Sequence, residues 1–115
     1  IMPSLVGSEM CIRDRSLPSK LDSYPNKVDW LYCVPKYPCL LNDLDFSKLS
    51  SFDGFSNHCQ NIIAPLTAAI LDTNIIEIHL TIDKKQNFVD NNVSFDPNEL
   101  KQLTNFIKLS KQIKK

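Results

Sequence analysis

Ile75-Ile76-Glu77-Ile78-His79-Leu80-Thr81-Ile82-Asp83 is the stretch on which the fold turns. Four of its nine residues are isoleucine, which suits a strand covered on both faces. The run reads as one buried strand, Ile75 to Ile82, that ends in a histidine and a carboxylate. A polar tip on such a strand is where an α/β protein places its chemistry. An earlier apolar run, Gly54-Phe55-Ser56-Asn57, ends in the second histidine of the chain, His58. The two strand ends are expected to share one site.

Outward from that strand the chain alternates. Val28-Asp29-Trp30-Leu31-Tyr32-Cys33-Val34 is rich in β-branched and aromatic residues and reads as a first strand, stopped by Pro35 and Pro38. Lys36 and Tyr37 sit on the loop that leaves it. Asp45-Phe46-Ser47-Lys48-Leu49 predicts a short helix, and Gly54 to Asn57 a four-residue strand. Ile62 to Leu71, with Ala64, Ala68 and Ala69, predicts a buried helix packed closely on a sheet. Asp72-Thr73-Asn74 is a turn before the central strand, and 83–94 is a polar loop.

The last helix has a clear start. Asp96 is a good N-cap, Pro97 suits the first helical position, and Glu99 completes a capping box. Leu100, Leu103, Phe106, Ile107 and Leu109 form an apolar stripe. Lys108, Lys111, Lys114 and Lys115 crowd its C-terminal end, where they complement the helix dipole. The order strand, helix, strand, helix, strand, helix argues for right-handed βαβ units and a parallel sheet. Three strands cannot close a barrel, so the chain reads as the last portion of a larger α/β fold.

Composition bounds the function. The chain has 115 residues, 43% hydrophobic and 23% charged, the size and make-up of one globular domain. Thirteen basic residues balance thirteen acidic ones, so no basic stripe argues for a nucleic-acid partner. No apolar run approaches the roughly 20 residues needed to span a bilayer, and no signal peptide is recognised. A cytoplasmic protein with no membrane partner is the expectation. Cys33, Cys39 and Cys59 form no CxxC pair and are expected to be reduced thiols.

The first residues stand apart. Val6-Gly7-Ser8-Glu9-Met10-Cys11-Ile12-Arg13-Asp14 resembles the in-frame translation of a transposase sequencing adapter, and Leu5 and Arg15 fit its flanks. Residues 1–15 are therefore expected to be an assembly artefact, and 16–115 the partial domain. Ser16 to Lys27 is polar and is read as the end of a helix and a loop.

Four motifs carry a family likeness. Leu31 to Pro38 resembles the LHCVSxYP segment of the sialic acid (N-acetylneuraminate) synthase family. Gly54 to His58 is similar to its GYSDH, and Ile76 to Asp83 to its IEKHFTLD. Asp90, Ser94, Asp96-Pro97 and Glu99-Leu100 fall in step with PDHxxSLEPxEL. The resemblance runs from about Trp30 to Leu103. It implies a (β/α)8 TIM barrel, of which this chain would hold strands six to eight, the last three βα units.

The resemblance also implies an activity. Family members condense phosphoenolpyruvate with an N-acetylmannosamine-like sugar, forming a C–C bond and releasing phosphate. They use a divalent metal, typically Mn2+, held by two histidines that map onto His58 and His79. Ser56 maps near the phosphate of phosphoenolpyruvate, Tyr37 onto a sugar contact, Asp90 onto a sugar-facing aspartate, and Glu77 onto a glutamate beside the metal. The parent would be a homodimer. The resemblance places phosphate-binding lysines on earlier strands, and a C-terminal antifreeze-like domain that reaches the partner subunit's site; without them the fragment alone is expected to be inactive.

The chemistry agrees with that mapping. Imidazole suits a first-row transition metal, and two histidines leave positions open for substrate and water. Several positions depart from the family. Asn57 replaces an aspartate that could orient a ligating histidine. Cys59 replaces threonine, Pro35 a polar residue and Ile78 a lysine, and Phe88-Val89-Asp90-Asn91 stands in for GPDH. These changes fit a divergent synthase, or a catalytically degenerate barrel that binds a sugar or a partner.

Overall fold

The computed structural model describes residues 29–88 and 90–114. The 1–15 segment, the expected helix end and loop at 16–27, and the first residue of the expected first strand lie outside them. The core of the fold is a parallel three-stranded sheet. It orders β1 (Leu31–Tyr32), β2 (Gly54–Ser56) and β3 (Ile75–Glu77) side by side in chain order. Leu31 pairs with Gly54, Gly54 with Ile75, and Ser56 with Glu77.

β1 is shorter than the seven residues expected. Its flanks take part in other bonds: Trp30 N–H donates to the Asp53 carboxylate at 2.7 Å, and Val34 accepts from Lys36 N–H at 2.8 Å. The strand from Ile75 to Ile82 is not continuous either. It breaks at Ile78 into β3 and β4 (His79–Leu80). β4 leaves the first sheet and pairs in parallel with β5 (Ser94–Phe95), an element with no expectation behind it.

The cause of the break lies in the neighbours. β2 offers its last partner when Asn57 N–H donates to the Glu77 carbonyl at 2.9 Å. The chain then turns away, and the His58 carbonyl accepts from Cys39 N–H at 2.9 Å instead. Beyond Glu77 the backbone must find another ladder, and Phe95 supplies it, accepting from Thr81 N–H at 2.9 Å. Coverage on both faces is also corrected: Ile75 to His79 are half-buried, and Leu80 and Ile82 are 57% and 86% exposed.

Gly54 shows how closely β2 is held. A Cβ there would strike the Ile75 carbonyl oxygen and lie 2.6 Å from Leu31 Cδ2 and 2.7 Å from Ile75 Cβ. Only glycine lets the two flanking strands approach this far. On one face of the sheet Tyr32, Phe55 and Phe46 form an aromatic core, with Phe46 edge-on to Phe55 at 5.0 Å between centroids.

The β1–β2 connection holds the expected short helix as a six-residue 3-10 helix, Phe46–Ser51. Asp45 caps it by accepting from Ser47 N–H. α1 (Ile63–Ile70) begins where Asn61 Oδ1 accepts from Ile63 N–H at 2.9 Å. Ala64, Ala68 and Ala69 are buried, as expected of a helix laid closely on a sheet.

α2 (Pro97–Ser110) starts with the expected capping box: Asp96 accepts from Glu99 N–H at 2.8 Å, and Glu99 from Asp96 N–H at 3.3 Å. Its stripe is only partly covered. Leu103 is buried, while Phe106 and Leu109 stand largely exposed. Lys111 does more than complement the dipole, because it reaches across to Asp72 and the Ala69 carbonyl. Among the described residues every strand pair is parallel, and α1 connects β2 to β3, as in the βα units of a (β/α)8 barrel. Among the described residues no helix is long and apolar enough to cross a membrane.

Candidate functional site

Parallel strands point their C-terminal ends the same way, so the residues that follow β2, β3 and β1 gather at one rim. His58 follows β2 and is buried; His79 opens β4. Their ring centroids lie 5.7 Å apart, although the residues are twenty-one positions apart in the chain. Tyr37 comes in from the loop after β1. Its ring lies 4.3 Å from that of His58, and its hydroxyl 3.0 Å from His58 Nε2.

His58 is held at both ring nitrogens. Nδ1 lies 2.8 Å from the Val34 carbonyl oxygen. A carbonyl can only accept, so Nδ1 carries the proton and Nε2 carries the lone pair. Burial, chiefly, holds the His58 pKa below its usual 6.5, and the neighbouring His79 pushes it the same way, which keeps the ring neutral. The Val34 contact and the carboxylates of Glu77 and Asp90 only partly oppose this.

Two carboxylates complete the cluster. Ser56 and Glu77 are register partners on β2 and β3, and Ser56 Oγ donates to Glu77 Oε1 at 2.6 Å. Asp90 Oδ2 lies 4.0 Å from His79 Nδ1. Asp90 reaches it from a left-handed backbone position, φ 64°, which aspartate tolerates better than most residues. The loop around it is fastened by Ser94 Oγ donating to the Asp90 carbonyl at 2.8 Å, and by Asn91 Nδ2 donating to the Asp83 carbonyl at 3.1 Å and to the Gln86 carbonyl.

The structure thus brings Tyr37, Ser56, His58, Glu77, His79 and Asp90 to one place. Sequence reasoning missed the Val34 carbonyl, which no side-chain letter announces. It also misjudged Asn57. That side chain is fully buried and turned away from ring chemistry: it accepts from Cys59 N–H at 3.2 Å and donates to the Cys59 carbonyl at 2.8 Å, closing the loop. His58 is oriented by Val34, so the loss of an aspartate at position 57 leaves its tautomer fixed.

Cys39 and Cys59 face each other across an isolated parallel bridge, and both are buried free thiols. Burial, and next the neighbouring Cys59 thiol, push Cys39 up to about 12. The donor set at the rim, the imidazoles of His58 and His79 with carboxylates nearby, is of a kind that suits a divalent transition metal. Among the described residues, no group of three or more His, Cys, Asp or Glu side chains is arranged as a ready cation site.

Comparison with known proteins places the fold and its rim in context. The NeuB family model matches residues 20–115, and the chain belongs to that family. It is similar to the N,N'-diacetyllegionaminic acid synthase of Campylobacter jejuni, at 33% identity over 66% of this chain and 25% of that protein. It is also similar to the N-acetylneuraminate-9-phosphate synthase of Drosophila melanogaster, at 33% identity over 67% of this chain and 23% of that protein. Among solved structures, the N-acetylneuraminic acid synthetase of Leptospira borgpetersenii in complex with citrate matches with a TM-score of 0.67 and 30% identity, over 71% of this chain and 31% of that one. The chain spans about a quarter of the length of these curated relatives.

Proposed function

We propose that this chain forms the metal and sugar rim of a synthase that joins phosphoenolpyruvate to an N-acetylmannosamine-like sugar, giving a sialic-acid-type nonulosonic acid and phosphate. The observation that carries the reading is the pair of histidines at neighbouring strand ends, 5.7 Å apart, with Glu77 and Asp90 beside them. Membership of the NeuB family supports it.

In this reading His58, through Nε2, and His79 hold a divalent cation such as Mn2+. When bound, it would act as a Lewis acid on the aldehyde oxygen of the sugar, which takes up the C=O electron pair as the enol carbon of phosphoenolpyruvate bonds to the aldehyde carbon. Val34 keeps the proton of His58 on Nδ1, so that Nε2 stays a lone-pair donor. Asp90 steadies His79 from 4.0 Å and stands where the sugar would lie. Ser56 gives its hydroxyl proton to Glu77 and so fixes that carboxylate at the strand end. Glu77 is then placed to move a proton as the new bond forms and water adds. Tyr37, half-exposed beside His58, would contact the sugar.

The test is phosphate release. A complete barrel carrying this chain, given Mn2+, phosphoenolpyruvate and N-acetylmannosamine, is expected to release phosphate in step with a nine-carbon acid. Sugar binding with no phosphate release would instead establish a binding module and overturn the synthase reading.

A further inference from the structure

We propose that Asn91 is a positioning residue for Asp90: its side-chain amide clips the loop that leaves β4 and so sets the Asp90 carboxylate beside His79. This rests on the reading of Asp90 as the carboxylate that faces the sugar, and adds to it the group that aims that carboxylate.

Asp90 needs aiming. Its backbone is left-handed, φ 64°, which a residue other than glycine keeps only where its surroundings over-determine it. Two clips do so. In the first, the Ser94 hydroxyl and the Val93 N–H both donate to the Asp90 carbonyl, at 2.8 Å and 3.0 Å. Ser94 is the register partner of His79, so this clip ties Asp90 to the strand pair that carries the histidine.

Asn91 is the second clip. Its Nδ2 donates to the Asp83 carbonyl at 3.1 Å and to the Gln86 carbonyl. Carbonyl oxygens only accept, so the amide nitrogen must face them, and both of its hydrogens are used there. Asp83 is itself anchored. Its N–H donates to Thr81 Oγ1 at 3.3 Å, and its carboxylate accepts from Lys85 N–H at 2.9 Å. Thr81 N–H in turn donates to the Phe95 carbonyl on β5. The amide thereby fastens residue 91 to the segment that leaves β4, four positions beyond His79. With both clips closed, Asp90 Oδ2 stands 4.0 Å from His79 Nδ1.

A clip that only stabilises the loop and one that aims Asp90 differ in a double-mutant cycle. The cycle uses a complete barrel carrying this chain, given Mn2+, phosphoenolpyruvate and N-acetylmannosamine. Asn91→Ala is expected to lower kcat/KM for the sugar about tenfold, the effect of a small misplacement, and to leave KM for phosphoenolpyruvate unchanged. Added to Asp90→Ala, it is expected to cost nothing further, because the carboxylate it aims is gone. Asn91→Leu, close in size but without a donor, is expected to match Asn91→Ala. A loss that persists in the Asp90→Ala background, or no loss at all, overturns the positioning role; a costly Asp90→Ala then leaves the reading of Asp90 standing. Unchanged sugar kinetics in Asp90→Ala overturn that reading, and the positioning role with it.

Discussion

Ser56 and Glu77 stand opposite each other in the register of β2 and β3, and the serine hydroxyl donates to the glutamate at 2.6 Å. The bond stitches two strands at the point where they part, since β3 breaks one residue later. It also ties a structural seam to the rim of the site.

Removing the hydroxyl is expected to leave the carboxylate less well satisfied. Ser56→Ala should lower stability by about 1.5–3 kcal/mol, the range for a hydrogen bond to a charged acceptor. Urea denaturation checks it: a midpoint that does not move would mean the bond contributes nothing.

Gly54→Ala should be worse. Its methyl would press on the Ile75 carbonyl and on Leu31. A backbone obstacle cannot rotate away, so the cost is expected to be about 3 kcal/mol. Thermal unfolding of the variant against the unaltered protein tests this. An unchanged melting temperature would show that β2 can shift without loss.

Cys39 is buried with its thiol pushed up to about 12, so almost none of it is thiolate near neutral pH. Iodoacetamide at mildly alkaline pH is expected to leave Cys39 unmodified in the folded protein and to label it after denaturation. Peptide mass spectrometry distinguishes the two; rapid labelling of the native protein would refute the packing.

His58 gives stability a pH dependence of known sign. Its folded pKa lies below the usual 6.5, so as pH falls through about 6.5 the unfolded chain takes up a proton that the native one resists. The contribution is therefore whole above 6.5 and is lost progressively below it. Denaturation midpoints from pH about 7 to about 5.5 should fall more steeply for the unaltered protein than for His58→Gln. Equal slopes would contradict the burial of a neutral ring.

Much of this was legible in the residues. The capping box of Asp96 and Glu99 depends on letters three apart, and it formed as expected. Ala64, Ala68 and Ala69 mark a helix face that can sit close to a sheet, and they are buried. The motifs also placed His58 and His79 at adjacent strand ends. Other features were hidden for a physical reason. The break at Ile78 depends on which neighbour offers the next carbonyl, and periodicity along one strand cannot report that. β5 is two residues long, too short for any pattern. The partner of His58 Nδ1 is a backbone oxygen, and Asn57 is committed to Cys59, so reading side chains alone put the orienting role in the wrong place.

The most direct test of the account is Mn2+ binding by His79→Ala, measured by isothermal titration beside the unaltered protein. The account predicts about one Mn2+ bound per chain and loss of that binding in His79→Ala. Undiminished Mn2+ affinity in His79→Ala would contradict it.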